Sequence, residues 1–299
     1  MAAPDTSVIS DVSAPSLRTA VRRAADRLSA AHVPDPDVDA EMLAAHVLGL
    51  SRGGVQAAAV RGDAVRPAQA ALLDRLIDRR CAREPLQHLT GTAPFRHLTL
   101  SVGPGVFVPR PETESVAQLA IDALRASASP RPVAVDLGTG SGAIALALAT
   151  EVPHAEVHAV EKSVEAYIWA RENAARVGAD NARIVFGDLA TALPELDGGV
   201  DVVVSNPPYV PDAAIPRDPE VRFYDPPAAL YGGEDGLDVV RVISRAALRL
   251  ARPGGVLVIE HGEWQGAPIR ELLAADGWRA TATHPDLTMR DRTTTALRP

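Results

Sequence analysis

Four consecutive residues, Asn206-Pro207-Pro208-Tyr209, combine a side-chain amide, a backbone stiffened twice by proline and an aromatic ring. That combination suits one chemical task, holding a planar nitrogen for alkylation. An amide or aromatic amine has its lone pair delocalised into a π-system, so it is a poor nucleophile. Two carbonyls that accept hydrogen bonds from both of its N–H groups orient it and let it pyramidalise. Asn206 supplies a side-chain carbonyl and Pro207 a backbone carbonyl. Consecutive prolines hold the residues before them in extended geometry, which fixes where both oxygens point. Tyr209 offers a face on which a flat amide or base stacks. The plainer reading is a strand running into a stiff turn, with Tyr209 as filler.

A second candidate lies earlier, where an apolar run ends in Asp136-Leu137-Gly138-Thr139-Gly140-Ser141-Gly142. Glycines at a strand-to-helix turn let the backbone approach a ligand without a Cβ clash. Gly138, Gly140 and Ala143 also satisfy a dinucleotide fingerprint, and Glu161 would then sit where an acid meets ribose hydroxyls. A nicotinamide cofactor therefore competes at this point. Asp136 argues against it, because a pyrophosphate placed beside that carboxylate would be repelled. The same carboxylate suits the ammonium group of a methionyl moiety. Asp188 ends the next strand, where it is expected to accept from an adenine amine while Leu189 packs on the ring. Three acids at three successive strand ends fit a ligand that is cationic and lacks phosphate. S-adenosylmethionine meets that description, leaving S-adenosylhomocysteine as product.

These residues need a scaffold. From residue 112 onward short buried strands alternate with helices. Strands are expected at 133–137, 156–160, 183–186, 201–205, 256–260, 279–283 and 294–298, and helices at 141–150, 164–177, 237–250 and 265–275. Such alternation implies an α/β fold with a mainly parallel, doubly wound sheet. Ligands bind such sheets at the carboxyl edge, where both candidate segments fall. Residues 16–31, 37–50 and 67–83 carry apolar side chains at helical spacing and predict a small N-terminal helical bundle over 1–85. Residues 86–111, rich in proline and glycine with β-prone runs at 98–102 and 106–108, read as a hairpin-like linker to the domain over 112–299.

Bulk properties narrow the classes further. The formal net charge of −8 argues mildly against tracking duplex nucleic acid. No apolar run reaches the ~20 residues needed to span a bilayer. The first residues, MAAPDTSVISDVSAPS, lack the basic and apolar regions of a signal peptide, so a cytoplasmic location is expected. Cys81, the single cysteine, excludes an internal disulfide and falls on an apolar helical stripe. The eight histidines show no metal-ligand spacing, so no metal is expected; His261 reads as structural.

Nearly end to end, the chain resembles the PrmC/HemK family of release-factor glutamine methyltransferases. The resemblance rests on EPLQHLTG from Glu84, FVPRPETE from Phe107, DLGTGSGAIALALA from Asp136, SNPPYV from Ser205 and EVRFYDPPAAL from Glu220. Glu260-His261-Gly262 and Asp291-Arg292 complete it. It implies a seven-stranded Rossmann-like class I methyltransferase domain, an N-terminal helical domain that recognises release factors, and a β-hairpin linker. It also implies methylation of the glutamine side-chain nitrogen in the Gly-Gly-Gln motif of class 1 peptide release factors, with no membrane or nucleic-acid substrate. By the same resemblance, Asp136 to Gly140, Glu161 and Leu189 contact the cofactor, Asn206 to Tyr209 hold the glutamine, and Phe107 closes the pocket. Two positions depart from the family pattern: Glu161 stands where Asp is commoner, and Leu189 where some members carry an aromatic. Adenine in nucleic acid, a ribosomal-protein glutamine and a non-catalytic cofactor-binding module are the rival readings.

Overall fold

The computed structural model describes residues 15–299, and its backbone divides into two compact units that meet at Thr90 and Gly91. The expectation about a signal peptide falls largely on residues 1–14, outside the described residues. In the first unit five helices follow in order: α1 (Leu17–Ala30), α2 (Pro36–Leu48), α3 (Arg52–Arg61), α4 (Pro67–Cys81) and α5 (Leu86–Thr90). Local chemistry sets their ends. The Ser16 hydroxyl accepts from the Thr19 N–H to start α1, and Pro36 and Pro67 occupy first turns. Gly49 and Gly62 adopt left-handed conformations that stop α2 and α3. Leu28, Leu43 and Ile77 are fully buried at the centre of this bundle. Among them Arg80 donates to Asp39 at 2.6 Å, an ion pair almost wholly out of water. Cys81 is half-buried against the same core, and its thiol faces the Arg27 carbonyl at 3.7 Å.

Helix α3 is absent from the sequence expectation. Its sequence, RGGVQAAAVR, buries only Val55 and Ala58, so no apolar stripe marks it. The expected linker is also shifted. Leu86 and Leu89 pack into the bundle core, which places residues 86–90 in the helical unit.

The second unit opens with a hairpin, β1 (Thr92–Phe95) and β2 (Leu98–Ser101). Val106 and Val108, expected in a strand, are buried without pairing into a ladder. There follow α6 (Thr113–Arg125), β3 (Val133–Leu137), α7 (Ala143–Glu151), β4 (Glu156–Glu161), α8 (Val164–Val177), β5 (Ala182–Phe186) and β6 (Val200–Ser205). Next come α9 (Pro219–Tyr224), α10 (Pro227–Leu230), α11 (Asp238–Leu250), β7 (Ala251–Glu260), α12 (Gly266–Ala275), β8 (Arg279–Pro285) and β9 (Asp291–Leu297).

The seven strands from β3 onward form one sheet in the order β5-β4-β3-β6-β7-β9-β8. Only β9 runs against its neighbours, so the expectation of a mainly parallel sheet holds. Alternation along each strand feeds two cores. Ala134, Val157, Val202 and Val204 face α6 and α7, while Val135, Val160, Val203 and Leu257 face α11 and α12. Every residue from Ala143 to Ala149 is buried, as befits a helix that is apolar all round. Between β3 and β6 the strand order reverses, the position at whose carboxyl edge such sheets bind ligands.

Candidate active site

Asp136 is the one charged residue of β3, 1% exposed. Its Oδ2 accepts from the Thr139 hydroxyl at 2.6 Å and from the Ala145 N–H at 3.2 Å. Oδ1 is buried and has no hydrogen-bond partner among the described residues. Burial pushes this carboxyl up to about 7. A buried acceptor with one oxygen to spare is what an ammonium group would satisfy.

The turn that follows is held open by backbone. Gly138 and Thr139 both donate N–H groups to the Val160 carbonyl, at 2.9 and 3.0 Å. Gly138 and Gly140 have positive φ, and a Cβ on either would meet nothing, so the space above them is free for a ligand. Asn173, fully buried, donates to the carbonyls of Ser101 and Ser141 at 2.9 Å each, which ties β2 to the turn. Glu161 curls inward: its carboxylate accepts from the N–H groups of Gly140, Lys162 and Ser163 at 2.8 to 2.9 Å. It braces the turn as well as lining the crevice, and Oε2, which takes only the Gly140 bond, keeps lone-pair capacity for a hydroxyl.

The loop after β6 is bound to the same place. The Ser205 hydroxyl donates to the Leu137 carbonyl at 2.6 Å, fully out of water. One residue on, Asn206 Nδ2 donates to the Thr113 hydroxyl at 3.3 Å. With that end of the amide engaged, Oδ1 is the end left to accept a bond. Tyr209 is anchored from behind, its carbonyl accepting from Gln265 Nε2 at 2.9 Å. Val210 and Tyr231 form a parallel bridge that brings the 230–236 segment under the loop. A Cβ on Gly232 would stand 2.4 Å from the Pro208 carbonyl, and one on Gly236 2.3 Å from that of Tyr209.

One cleft of about 310 Å³ collects these parts. Asp136, Leu137, Gly138, Thr139, Gly140, Glu161 and Leu189 line it together with Asn206, Pro207, Pro208, Tyr209 and Phe107. Asp188 is the exception. It is exposed and outside the lining, and its Oδ1 accepts from the Ala190 N–H at 2.8 Å, which caps the local turn. Phe107 projects between buried Val106 and Val108, with the Arg110 guanidinium 5.0 Å above its ring. Arg110 also pairs with Asp225 at 2.6 Å, joining that segment to the loop after α9.

Behind the cleft lies Glu260, 1% exposed at the end of β7. Tyr209 Oη donates to its Oε1 at 3.5 Å, while Oε2 has no partner among the described residues. Burial pushes the Glu260 carboxyl up to about 7, opposed by the Thr113 hydroxyl and the Arg292 charge. Burial and then the Glu260 charge hold the Tyr209 phenol above its usual range. Burial holds the His261 imidazole below its usual pKa, and the ring spans Gly262 O and Thr294 Oγ1 at 2.8 and 2.9 Å, a structural post.

Sequence reasoning missed Thr113, Ser205, Gly232, Gly236, Glu260, Gln265 and Arg292 as parts of this site. Thr113, Glu260 and Arg292 stand inside stretches that carried the family resemblance, and the repeated glycines of Tyr231-Gly232-Gly233 marked a close approach.

Comparison with known proteins adds independent findings. Residues 19–91 match the PrmC N-terminal domain model, and residues 97–222 the methyltransferase small domain model. The release factor glutamine methyltransferase of Streptomyces coelicolor is 51% identical over 278 residues, 92% of this chain and 96% of that protein. Its namesake from Mycolicibacterium smegmatis is 48% identical over 94% of this chain and 98% of that protein. A 4-amino-L-phenylalanine/4-methylamino-L-phenylalanine methyltransferase of Streptomyces pristinaespiralis is 41% identical over 74% of this chain and 76% of its own. Among solved structures, the T. thermophilus 16S rRNA N2 G1207 methyltransferase in complex with AdoMet and guanosine shares the fold. Its TM-score is 0.52 at 22% identity, over 70% of this chain and 50% of that one.

Proposed function

The chain belongs to the release factor glutamine methyltransferase family, and from that premise we propose that it methylates the glutamine side-chain amide of the Gly-Gly-Gln motif in class 1 peptide release factors. The methyl donor is S-adenosylmethionine. One observation carries the proposal for the site: a single cleft is lined both by the acidic glycine turn and by Asn206, with Oδ1 left to accept.

Asp136 Oδ1 would take the donor's ammonium group, Glu161 its ribose hydroxyls, and Leu189 would pack on its adenine. The cofactor supplies a methyl group already activated by positive sulfur, so no strong base is needed. Asn206 Oδ1 and the Pro207 carbonyl would accept the two N–H bonds of the glutamine amide. Tyr209 and Phe107 would confine its plane and keep water out. Catalysis by this chain is then positioning and preorganised hydrogen bonding, with the surplus proton lost to solvent afterwards.

The helical unit would supply recognition of the release factor. Support comes from its match to the PrmC N-terminal model and from relatives that cover more than nine-tenths of the chain. The net charge of −8 favours a protein over a phosphate backbone as partner. Among the described residues no helix is long and apolar enough to cross a membrane. A translation factor as substrate would locate the reaction in the cytoplasm.

The test is direct. The protein is incubated with isotopically labelled S-adenosylmethionine and, separately, a class 1 release factor, ribosomal proteins, nucleic acid and 4-amino-L-phenylalanine. One added methyl on the Gly-Gly-Gln peptide is expected. Label confined to any other acceptor overturns the reading.

A further inference from the structure

From Pro211 to Ala229 the chain leaves the acceptor loop and returns to it, and Asp225 is the only buried residue along the way. Loops are usually held down by apolar side chains. Here Ile215 and Phe223 stand 67% and 66% exposed, and α9 buries nothing. The buried carboxylate meets Arg110, whose Nη2 donates to its Oδ2 at 2.6 Å. We propose that the Arg110–Asp225 ion pair is a latch that sets residues 211–229 as one wall of the cleft, and that both are positioning residues for the methyl acceptor. The proposal deepens the glutamine-methylation reading and rests on it.

The excursion is closed at its base. The Val210 N–H donates to the Leu230 carbonyl at 2.8 Å and the Gly232 N–H to the Val210 carbonyl at 2.9 Å, so residues 211–229 start and end beside the Asn206–Tyr209 loop. Between these ends Val221, Pro226, Ala228 and Ala229 line the cleft. The other half of the latch comes from elsewhere. Arg110 is 115 positions from Asp225, in the segment that carries Gly105 and Phe107 into the same lining. Its guanidinium stands 5.0 Å over the Phe107 ring while it pairs with Asp225. One guanidinium therefore couples two stretches of cleft wall.

Such an anchor holds by charge and not by apolar burial. The Asp225 side chain is wholly out of water, so removing the guanidinium leaves a buried carboxylate that regains water by swinging outward with its segment. The latched state is the one whose wall is in place for the acceptor. Where that state is only partly populated, apparent acceptor affinity falls by the missing fraction, and turnover recovers once the acceptor is saturating. A general loss of folded protein would instead lower kcat and leave KM alone.

Limited digestion with trypsin reads the wall, with exposed Arg217 and Arg222 as reporters. Arg110→Met and the near-isosteric Asp225→Asn should each speed cleavage after these two residues by about 10-fold or more, with cleavage in the helical unit unchanged. Arg110→Lys, which keeps the charge, should lie between Arg110→Met and the parent. In turnover at saturating S-adenosylmethionine, the release-factor KM should rise by about 10-fold in both disrupting variants, with kcat within about 2-fold of the parent. Cleavage rates equal to the parent in both variants, or an opened wall with an unchanged release-factor KM, overturn the latch. The digestion needs no methyl acceptor. Faster cleavage in a protein that leaves release factors unmethylated keeps the latch and sinks the functional reading instead.

Discussion

The Nδ2 group of Asn206 donates to the hydroxyl of Thr113 across 3.3 Å, joining the loop after β6 to the first residue of α6. Residues 93 positions apart thus set the direction of one carbonyl. Replacing Asn206 by Ala removes that carbonyl and leaves the glycine turn intact. The expected outcome is a fall in kcat of about 10²–10³-fold, as for loss of an oxyanion-hole donor, with most donor affinity kept. Steady-state kinetics beside calorimetric binding of S-adenosylmethionine checks it, and unchanged turnover would remove Asn206 from its role.

Asp136 links function to pH. Its carboxyl titrates near 7 in the folded protein and at about 4 when unfolded, so the folded state holds a proton that the unfolded chain has lost between these values. Stability from that proton is fully present below the unfolded value and is lost as pH rises through 7. Asp136→Asn keeps an acceptor for Thr139 and Ala145 and abolishes the titration. Its Tm relative to the parent should rise between about pH 5 and about pH 8, read by scanning calorimetry. Affinity for the cationic donor should drop by about 10- to 100-fold at the higher pH, the worth of one charged hydrogen bond. Parallel Tm curves for the two proteins would contradict the linkage.

Gly232 sits beneath the acceptor loop with no room for a side chain. An Ala there would press on the carbonyls of Pro208 and Gly236, at 2.4 and 2.7 Å, both backbone and neither free to rotate away. Gly232→Ala should cost about 1–3 kcal/mol of stability in denaturant titrations. Because the shift falls on the loop that would hold the substrate, kcat should fall by about 10²-fold while donor binding persists.

The buried pair Arg80–Asp39 predicts an effect confined to the helical unit. Arg80→Met leaves Asp39 buried without this guanidinium, at a cost of about 3–5 kcal/mol. Asp39→Leu combined with Arg80→Met should recover much of the loss. Denaturant melts followed by circular dichroism test this, and S-adenosylmethionine affinity should hold because every residue assigned to it lies beyond Thr90.

Much of this architecture could be read from residue order, for definable reasons. Strands such as β3 and β6 are short apolar runs closed by chemistry-bearing residues, and helices such as α8 carry both a cap and a period. Residues 92–95 were harder, because Pro94 disguises an edge strand. Val106 and Val108 alternate like a strand without a ladder partner, since a β-like pattern reports burial and not pairing. Within the site, the glycine turn and the Asn-Pro-Pro-Tyr segment announce themselves by composition. Thr113, Glu260 and Arg292 do not, because a polar residue that acts by facing another across the fold leaves no periodic trace. Asp188 is a different case: it stands exposed at its strand end with Oδ1 capping the local turn, so a role toward adenine falls to Oδ2 and is a proposal.

In the sheet, Asp136 pairs with Val204, two residues before Asn206, and β3 lies directly against β6. The gap between donor and acceptor is therefore ruled by interstrand spacing, about 4.8 Å per step, and not by the length of any loop. A lineage carrying this scaffold could rebuild the 207–236 segment for a different nitrogen without losing its reach to the sulfonium. Relatives named for a glutamine and for an amino-phenylalanine, both above 40% identity, are what such a built-in ruler would permit.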